Sequence, residues 1–288
     1  MARQRNRRTE PKKAHRKRNN RRKLGQNFLK DERTARRLVA ASGVGAGDLV
    51  LEIGAGDGML TRPLAKAARR VMAIECDPYW AALLRERFTG TENVEVVETD
   101  FLAMTLPAEP FVVVANVPFG VTTPILHRLL DDPESPMRWA YLAVQRQVAL
   151  KHARASPTTL KTLTWSPWYE FSAGPELPAS LFRPRPGVDA CLLVAARRGP
   201  QLVDVRLANT FRAFVRRAFD GPGNAVGRTL RPFFTRVQLR RLARDNGFNL
   251  RSPPSALTVQ QWAAVFRFMV SAVPRERWPP RGRRGRAG

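Results

Sequence analysis

From Leu24 onward, short apolar runs alternate with segments in which apolar residues recur every three or four positions. The runs Leu49–Ile53, Arg70–Glu75, Val94–Glu98, 111–115 and 139–144 have the length and β-branched content of buried strands. Between them, Leu60, Leu64, Ala65 and Ala68, then Trp80, Leu83, Leu84 and Phe88, then Ile125, Leu126, Leu129 and Leu130 repeat with helical period. Asp77-Pro78 and Thr123-Pro124 each place a capping side chain ahead of a proline suited to the first helical turn. Strand and helix in strict alternation predict an α/β fold with a parallel sheet covered on both faces.

Past about residue 155 the texture turns Pro- and aromatic-rich, predicting strands near 168–172 and 189–196 joined by a Pro-stiffened loop. From 205 it turns helical. Leu207, Phe211, Phe214, Val215 and Ala218 form an apolar stripe with Arg212, Arg216 and Arg217 off it, and Leu257, Val259, Trp262, Phe266 and Met269 mark a last helix capped by Thr258. The expected division is a basic disordered tail over 1–23, an α/β domain over 24–200, a small helical domain over 201–273 and a basic extension over 274–288.

Charge narrows the partner. The net charge is +26, with 12 Lys/Arg against one acid in 1–23 and six Arg against one acid in 275–288. The body between them still has 32 basic and 22 acidic residues, which points to a polyanion, nucleic acid first, because each phosphate neutralised releases counterions. A membrane surface fits less well, since 1–23 has almost no apolar residue to insert. No apolar stretch approaches the ~20 residues that span a bilayer and the N-terminus lacks a signal-peptide core, which predicts a cytoplasmic protein. Cys76 and Cys191 give no disulfide framework and are expected reduced and buried; His15, His127 and His152 lie too far apart for a ligand pattern, so no metal is expected.

LEIGAGDG (51–58) follows a strand and precedes a helix. Gly54, Gly56 and Gly58 permit a tight turn close to a ligand, beside the free N–H groups of a helix start. Glu75 ends the next strand 21 residues after Gly54, where an acid can accept from ribose hydroxyls, whereas Asp77 reads as a helix cap. A dinucleotide fingerprint would need a third glycine at position 59, which is Met59. Asp100-Phe101, after the third strand, is either an adenine contact or a turn. FVVVANVPFGVTTPI (111–125) sets Asn116, Pro118 and Phe119 at a buried strand's end.

The G-x-G-x-G led by Glu52 looks like the first motif of S-adenosylmethionine-dependent methyltransferases. Together with KLGQNFL (23–29), LEIGAGDGMLT (51–61), TDF (99–101), NVPFGVTTPIL (116–126) and FRPRPGVDA (182–190), it resembles, in order, the rRNA adenine N6-methyltransferases. That family holds the small-subunit dimethyladenosine transferases and the Erm-type enzymes of macrolide, lincosamide and streptogramin B resistance. The resemblance implies a Rossmann-like S-adenosylmethionine-binding sheet with a small C-terminal helical domain. It further implies that Asn27 and Leu29 cover the methionine part of the cofactor, Gly54 and Gly56 approach it by backbone, Glu75 holds the ribose, Asp100 binds the adenine amine, and Asn116 links cofactor and target base.

Elementary chemistry agrees with that assignment. Adenine N6 is a poor nucleophile because its lone pair is delocalised into the ring, so positioning matters more than a strong base. The Asn116 side-chain oxygen and a main-chain carbonyl, Val117 first, can accept the two N6 hydrogens. Pro118 fixes the turn and Phe119, where many relatives have Tyr, offers a stacking ring. Phe182 is either the opposing face of that clamp or part of a stiff turn. The basic tails resemble Erm-type enzymes of high-GC actinomycetes, which implies action on one adenine of the peptidyl-transferase loop of 23S rRNA; a monomer is expected. The alternatives are a 16S rRNA dimethyltransferase and a noncatalytic nucleic-acid-binding protein on the same fold.

Overall fold

The computed structural model describes residues 27–280 except 157 and 222; the expected tail over 1–23, His15 and residues 281–288 lie outside the described residues. In chain order the elements are β1 (Phe28–Leu29), α1 (Glu32–Ala41), β2 (Leu49–Ile53), α2 (Thr61–Ala67), β3 (Arg70–Glu75), α3 (Pro78–Arg87), β4 (Val94–Glu98), β5 (Phe111–Asn116), α4 (Thr122–Leu130), β6 (Met137–Gln145), α5 (Arg146–Ala153), α6 (Leu160–Leu163), β7 (Tyr169–Leu177), β8 (Phe182–Arg183), β9 (Ala190–Arg197), α7 (Ala208–Asp220), α8 (Val226–Thr229), α9 (Arg236–Asp245) and α10 (Val259–Ala272).

Seven strands form one sheet in the order β4-β3-β2-β5-β6-β9-β7. Pairing is parallel from β4 through β6, and β9 runs antiparallel between β6 and β7. The period-2 alternation of side chains divides the apolar residues between two faces. Leu49, Leu51, Ile53, Val113 and Ala115 pack on one, together with α4 and the helical residues Phe211, Phe214, Trp262 and Phe266. Val50, Val112 and Val114 pack on the other, with Leu38 of α1 and Leu64 of α2. One apolar cluster therefore runs from the sheet into the C-terminal helices.

Several details depart from the sequence reading. No helix joins β4 to β5; residues 99–110 are loop, so the alternation breaks where the chain crosses from the sheet edge past β3 and β2. Thr123 does not cap α4. The chain is already coiled over Phe119–Val121, the helix begins at Thr122, and Thr122 Oγ1 donates to the Phe119 carbonyl at 3.3 Å. Asp77 and Thr258 do cap: Asp77 Oδ1 accepts from Tyr79 N at 2.9 Å, and Thr258 forms a reciprocal capping box with Gln261. Cys191 is buried but Cys76 is exposed, because it lies one residue beyond β3 at the sheet's rim. Arg212 lies off the apolar stripe yet is partly covered, stacked 5.2 Å from the Trp168 ring and donating to the Thr164 carbonyl. The extension from 274 begins folded: Trp278 packs against the core and Nε1 donates to the Val273 carbonyl at 2.8 Å.

Candidate active site

Parallel strands present their carboxyl ends at one edge of the sheet, the usual place for a ligand crevice in open α/β folds. There Ile53, Glu75, Thr99 and Asn116 border a cavity of about 510 Å³, a volume suited to a nucleoside-sized ligand.

The glycine turn forms the cavity floor. Gly54, Gly56 and Gly58 all have left-handed backbone, with φ of 71°, 57° and 78°. Gly56 has a second reason to lack a side chain, because a Cβ there would sit 2.5 Å from Cε1 of Phe28. Phe28 lines the cavity and packs at 5.0 Å centroid distance against Trp80 of α3.

Glu75 is 2% exposed rather than a solvated strand end. Its Oε2 accepts from Gly56 N and its Oε1 from Asp77 N, both at 2.9 Å. One carboxylate thus ties the glycine turn to the start of α3, and each oxygen keeps a lone pair for a hydroxyl in the cavity. Asp100 closes its own turn, Oδ1 accepting from Leu102 N at 2.9 Å, and it lines the cavity beside the buried Phe101.

Asn116 ends β5 half-buried on the cavity wall. Its Nδ2 donates to the Asn27 carbonyl at 2.6 Å, which fixes the orientation of the amide and leaves Oδ1 as the acceptor. Pro118, at φ −57° and ψ 128°, brings the loop against the glycine turn: a Cβ on Gly54 would lie 3.8 Å from Pro118 Cδ. Val117 N donates to the Ala143 carbonyl, anchoring the loop to β6.

Not every expected residue reaches the cavity. Leu29 is 4% exposed and packs in the apolar cluster beneath the β1–β8 ribbon, opposite Phe182. In that extended segment neighbours point to opposite sides, so burying Leu29 turns Phe28 to the cavity. Phe182 is fully buried and belongs to the core, not to a base clamp. Phe119 lies outside the cavity lining, with its partly buried ring against the same cluster.

Glu52, which leads the glycine motif, is an acid inside an otherwise apolar strand. It is 2% exposed and accepts from Thr61 Oγ1 at 2.6 Å. Burial pushes its carboxyl up to about 8, with the Thr61 bond opposing and nearby Asp57 and Glu75 adding to the rise. The folded protein therefore holds a proton here that the unfolded chain releases near pH 4.5. Stability conferred by the neutral acid is complete below that pH and lost as pH rises toward 8, by several kcal/mol on the order-of-magnitude scale of such shifts. Glu52→Gln should flatten this part of the pH profile in denaturant melts; an unchanged slope would assign the dependence elsewhere.

Among the described residues no three His, Cys, Asp or Glu side chains group as metal ligands. His152 is buried against Trp165 and Phe171, hydrogen-bonded to Thr162 Oγ1 and depressed by burial to about 4. No helix among the described residues is long and apolar enough to cross a membrane.

A family-wide sequence profile described as ribosomal RNA adenine dimethylase matches residues 17–279. An rRNA adenine N-6-methyltransferase of Corynebacterium diphtheriae is 38% identical over 72% of this chain and 80% of its own length. The mycinamicin-resistance protein MyrB of Micromonospora griseorubida is 35% identical over 86% of this chain and 78% of its own. Among solved structures, the 23S rRNA methyltransferase ErmE superposes with a TM-score of 0.77 at 30% identity, covering 85% of this chain and all of that one. A dimethyladenosine transferase from Plasmodium falciparum, TM-score 0.69 over 85% of this chain and 98% of its own, is 18% identical and shares the fold. Site geometry, profile and relatives agree, and the chain belongs to the ribosomal RNA adenine dimethylase family as an Erm-type member.

Proposed function

We propose that this enzyme transfers methyl groups from S-adenosylmethionine to N6 of one adenine in the peptidyl-transferase loop of 23S rRNA, and so confers macrolide, lincosamide and streptogramin B resistance. The observation that carries the chemistry is the tethered Asn116 amide: with Nδ2 held by the Asn27 carbonyl, Oδ1 is the atom available to accept from an adenine amine.

The cavity fits the cofactor by its own donor set. Glu75, with both oxygens already fixed by backbone N–H groups, is oriented for the ribose hydroxyls. Asp100 is assigned to the adenine amine, and Gly54 and Gly56 allow close backbone approach. Asn27 and Phe28 close the cavity over the methionine part, Phe28 standing where the resemblance had put Leu29. When bound, S-adenosylmethionine supplies an electrophilic sulfonium methyl.

Asn116 Oδ1 and the Val117 carbonyl would hold the two N6 hydrogens and so orient the nitrogen lone pair toward the methyl of the cofactor, the proton that the methyl replaces leaving to water. A neutral amide does this without setting a carboxylate against the sulfonium. Pro118 keeps the turn rigid, and the open part of the Phe119 ring is the stacking surface for the extruded base. The α/β domain over 24–200 carries this chemistry and the helical domain over 201–273 is assigned to RNA binding, in a cytoplasmic monomer.

The test offers purified protein and labelled cofactor to 23S and 16S transcripts, followed by primer extension across the modified site. Label confined to one adenine of 23S rRNA is expected. Label only in 16S rRNA would remove the resistance reading, and no label in any RNA would favour a noncatalytic binding protein.

A further inference from the structure

The positive charge of the folded body is not spread over it. Residues 27–204 carry 20 Lys/Arg and 20 Asp/Glu, whereas residues 205–280 carry 14 Lys/Arg and three acids. The unit that holds the cavity is balanced, and the helical unit holds the whole surplus.

Within that unit α9 concentrates it. Leu239, Leu242 and Ala243 are its buried face. At about 100° per residue, Arg236, Arg240, Arg244 and Arg241 fall within an arc of roughly 140° outside that face. All four are exposed. Arg241 and Arg244 share one exposed carboxylate, Asp245, at 3.4 and 3.0 Å, while Arg236 and Arg240 have no ion-pair partner among the described residues. A capping box between Thr235 and Gln238 anchors the start of the helix.

Four arginines on one rigid, capped face, with Val237 as the apolar residue beside them at 75% exposure, suit phosphates rather than bases. Binding of unpaired bases uses aromatic stacking platforms, and this face has none. Resting on the rRNA reading above, we propose that the arginine face of α9 docks the phosphate backbone of a double-helical segment of the substrate RNA, independent of its sequence. Affinity and base selection are then divided: the helical unit supplies phosphate contacts, and the charge-balanced unit receives the adenine.

The full chain carrying Arg236→Gln and Arg240→Gln is compared with the wild type by salt-titrated binding to a 23S rRNA fragment and to a duplex of scrambled sequence. Loss of two phosphate contacts should lower affinity for both RNAs about tenfold and reduce the slope of log K against log salt by about two, leaving cofactor affinity and kcat at saturating RNA as in the wild type. Arg236→Lys/Arg240→Lys should restore most of the slope. Arg69→Gln/Arg70→Gln removes two arginines at the start of β3, already paired with Glu109 and Glu95, and should change neither quantity. An unchanged slope in the α9 variant, an equal loss from the Arg69/Arg70 pair, or a loss confined to unpaired RNA would each overturn the proposal. So would a loss of binding to anionic lipid vesicles with RNA binding intact. If the wild type methylates 23S rRNA while the α9 variant binds normally, this surface fails and the proposed function stands; a wild type that methylates no RNA removes the function itself.

Discussion

Asn116→Ala is expected to lower kcat by at least 10²–10³-fold, on the order of losing one preorganised polar contact at a reacting atom, while RNA affinity stays close to that of the wild type. Two losses coincide at one side chain. The acceptor Oδ1 disappears, so the adenine amine is no longer turned toward the methyl donor. The Nδ2 donor disappears too, and the Asn27 carbonyl loses its 2.6 Å partner, so the tie between the end of β5 and the segment that carries Phe28 over the cavity is lost. Asn116→Asp separates these effects. It retains an acceptor but sets a carboxylate against the Asn27 carbonyl, and should therefore weaken cofactor binding more than alanine does. Single-turnover methylation with labelled cofactor, set beside equilibrium binding of RNA and of cofactor, reads all three quantities. Near-normal turnover with impaired RNA binding in Asn116→Ala would assign the residue to the RNA interface instead.

How far the sequence revealed this site depends on the kind of information each residue carries. Strands buried on both faces write themselves as continuous apolar runs, so β2 and β5 were legible nearly to the residue, while the edge strand β4 was legible by its β-branched valines although none of its residues is buried. The glycine turn was legible because left-handed backbone restricts the residue type. Single side chains brought in by distant segments were harder to read. Leu29 and Phe28 are adjacent, and which one faces the cavity is decided by the pairing of β1 with β8, a contact between residues over 150 positions apart that no local period encodes. Phe182 is the other half of that pairing and is buried for the same reason. Glu52 was hidden differently: its neighbours in sequence are apolar, and its partner Thr61 is reached only after the glycine turn folds back. The charge surplus was visible in the composition, but its confinement to the helical unit has meaning only once α9 is seen to turn its arginines outward.

Glu75→Ala should reduce cofactor affinity by roughly 10²-fold or more and lower the melting temperature of the ligand-free protein as well. The double effect follows from geometry. The carboxylate is buried, accepts from the backbone of Gly56 and Asp77, and borders the cavity, so it serves the ligand and the fold with the same two oxygens. Alanine leaves two N–H groups without their acceptor; each buried unsatisfied group costs about 1–3 kcal/mol, and a hydrogen bond to a charged group contributes about 1.5–3 kcal/mol. Glu75→Gln preserves volume but turns one acceptor into a donor facing a backbone N–H, so it should recover only part of either loss. Asp100→Ala is the contrast: Asp100 is exposed and its carboxylate accepts from its own turn at Leu102 N, so cofactor affinity should fall less and melting should barely move. Calorimetric titration with S-adenosylmethionine and with its demethylated product, beside thermal melts of each ligand-free variant, separates the two contributions. If Glu75→Ala melts like the wild type yet fails to bind, Glu75 acts on the ligand alone. If it binds normally, the ribose assignment is wrong, and the acid is only the clasp between the glycine turn and α3.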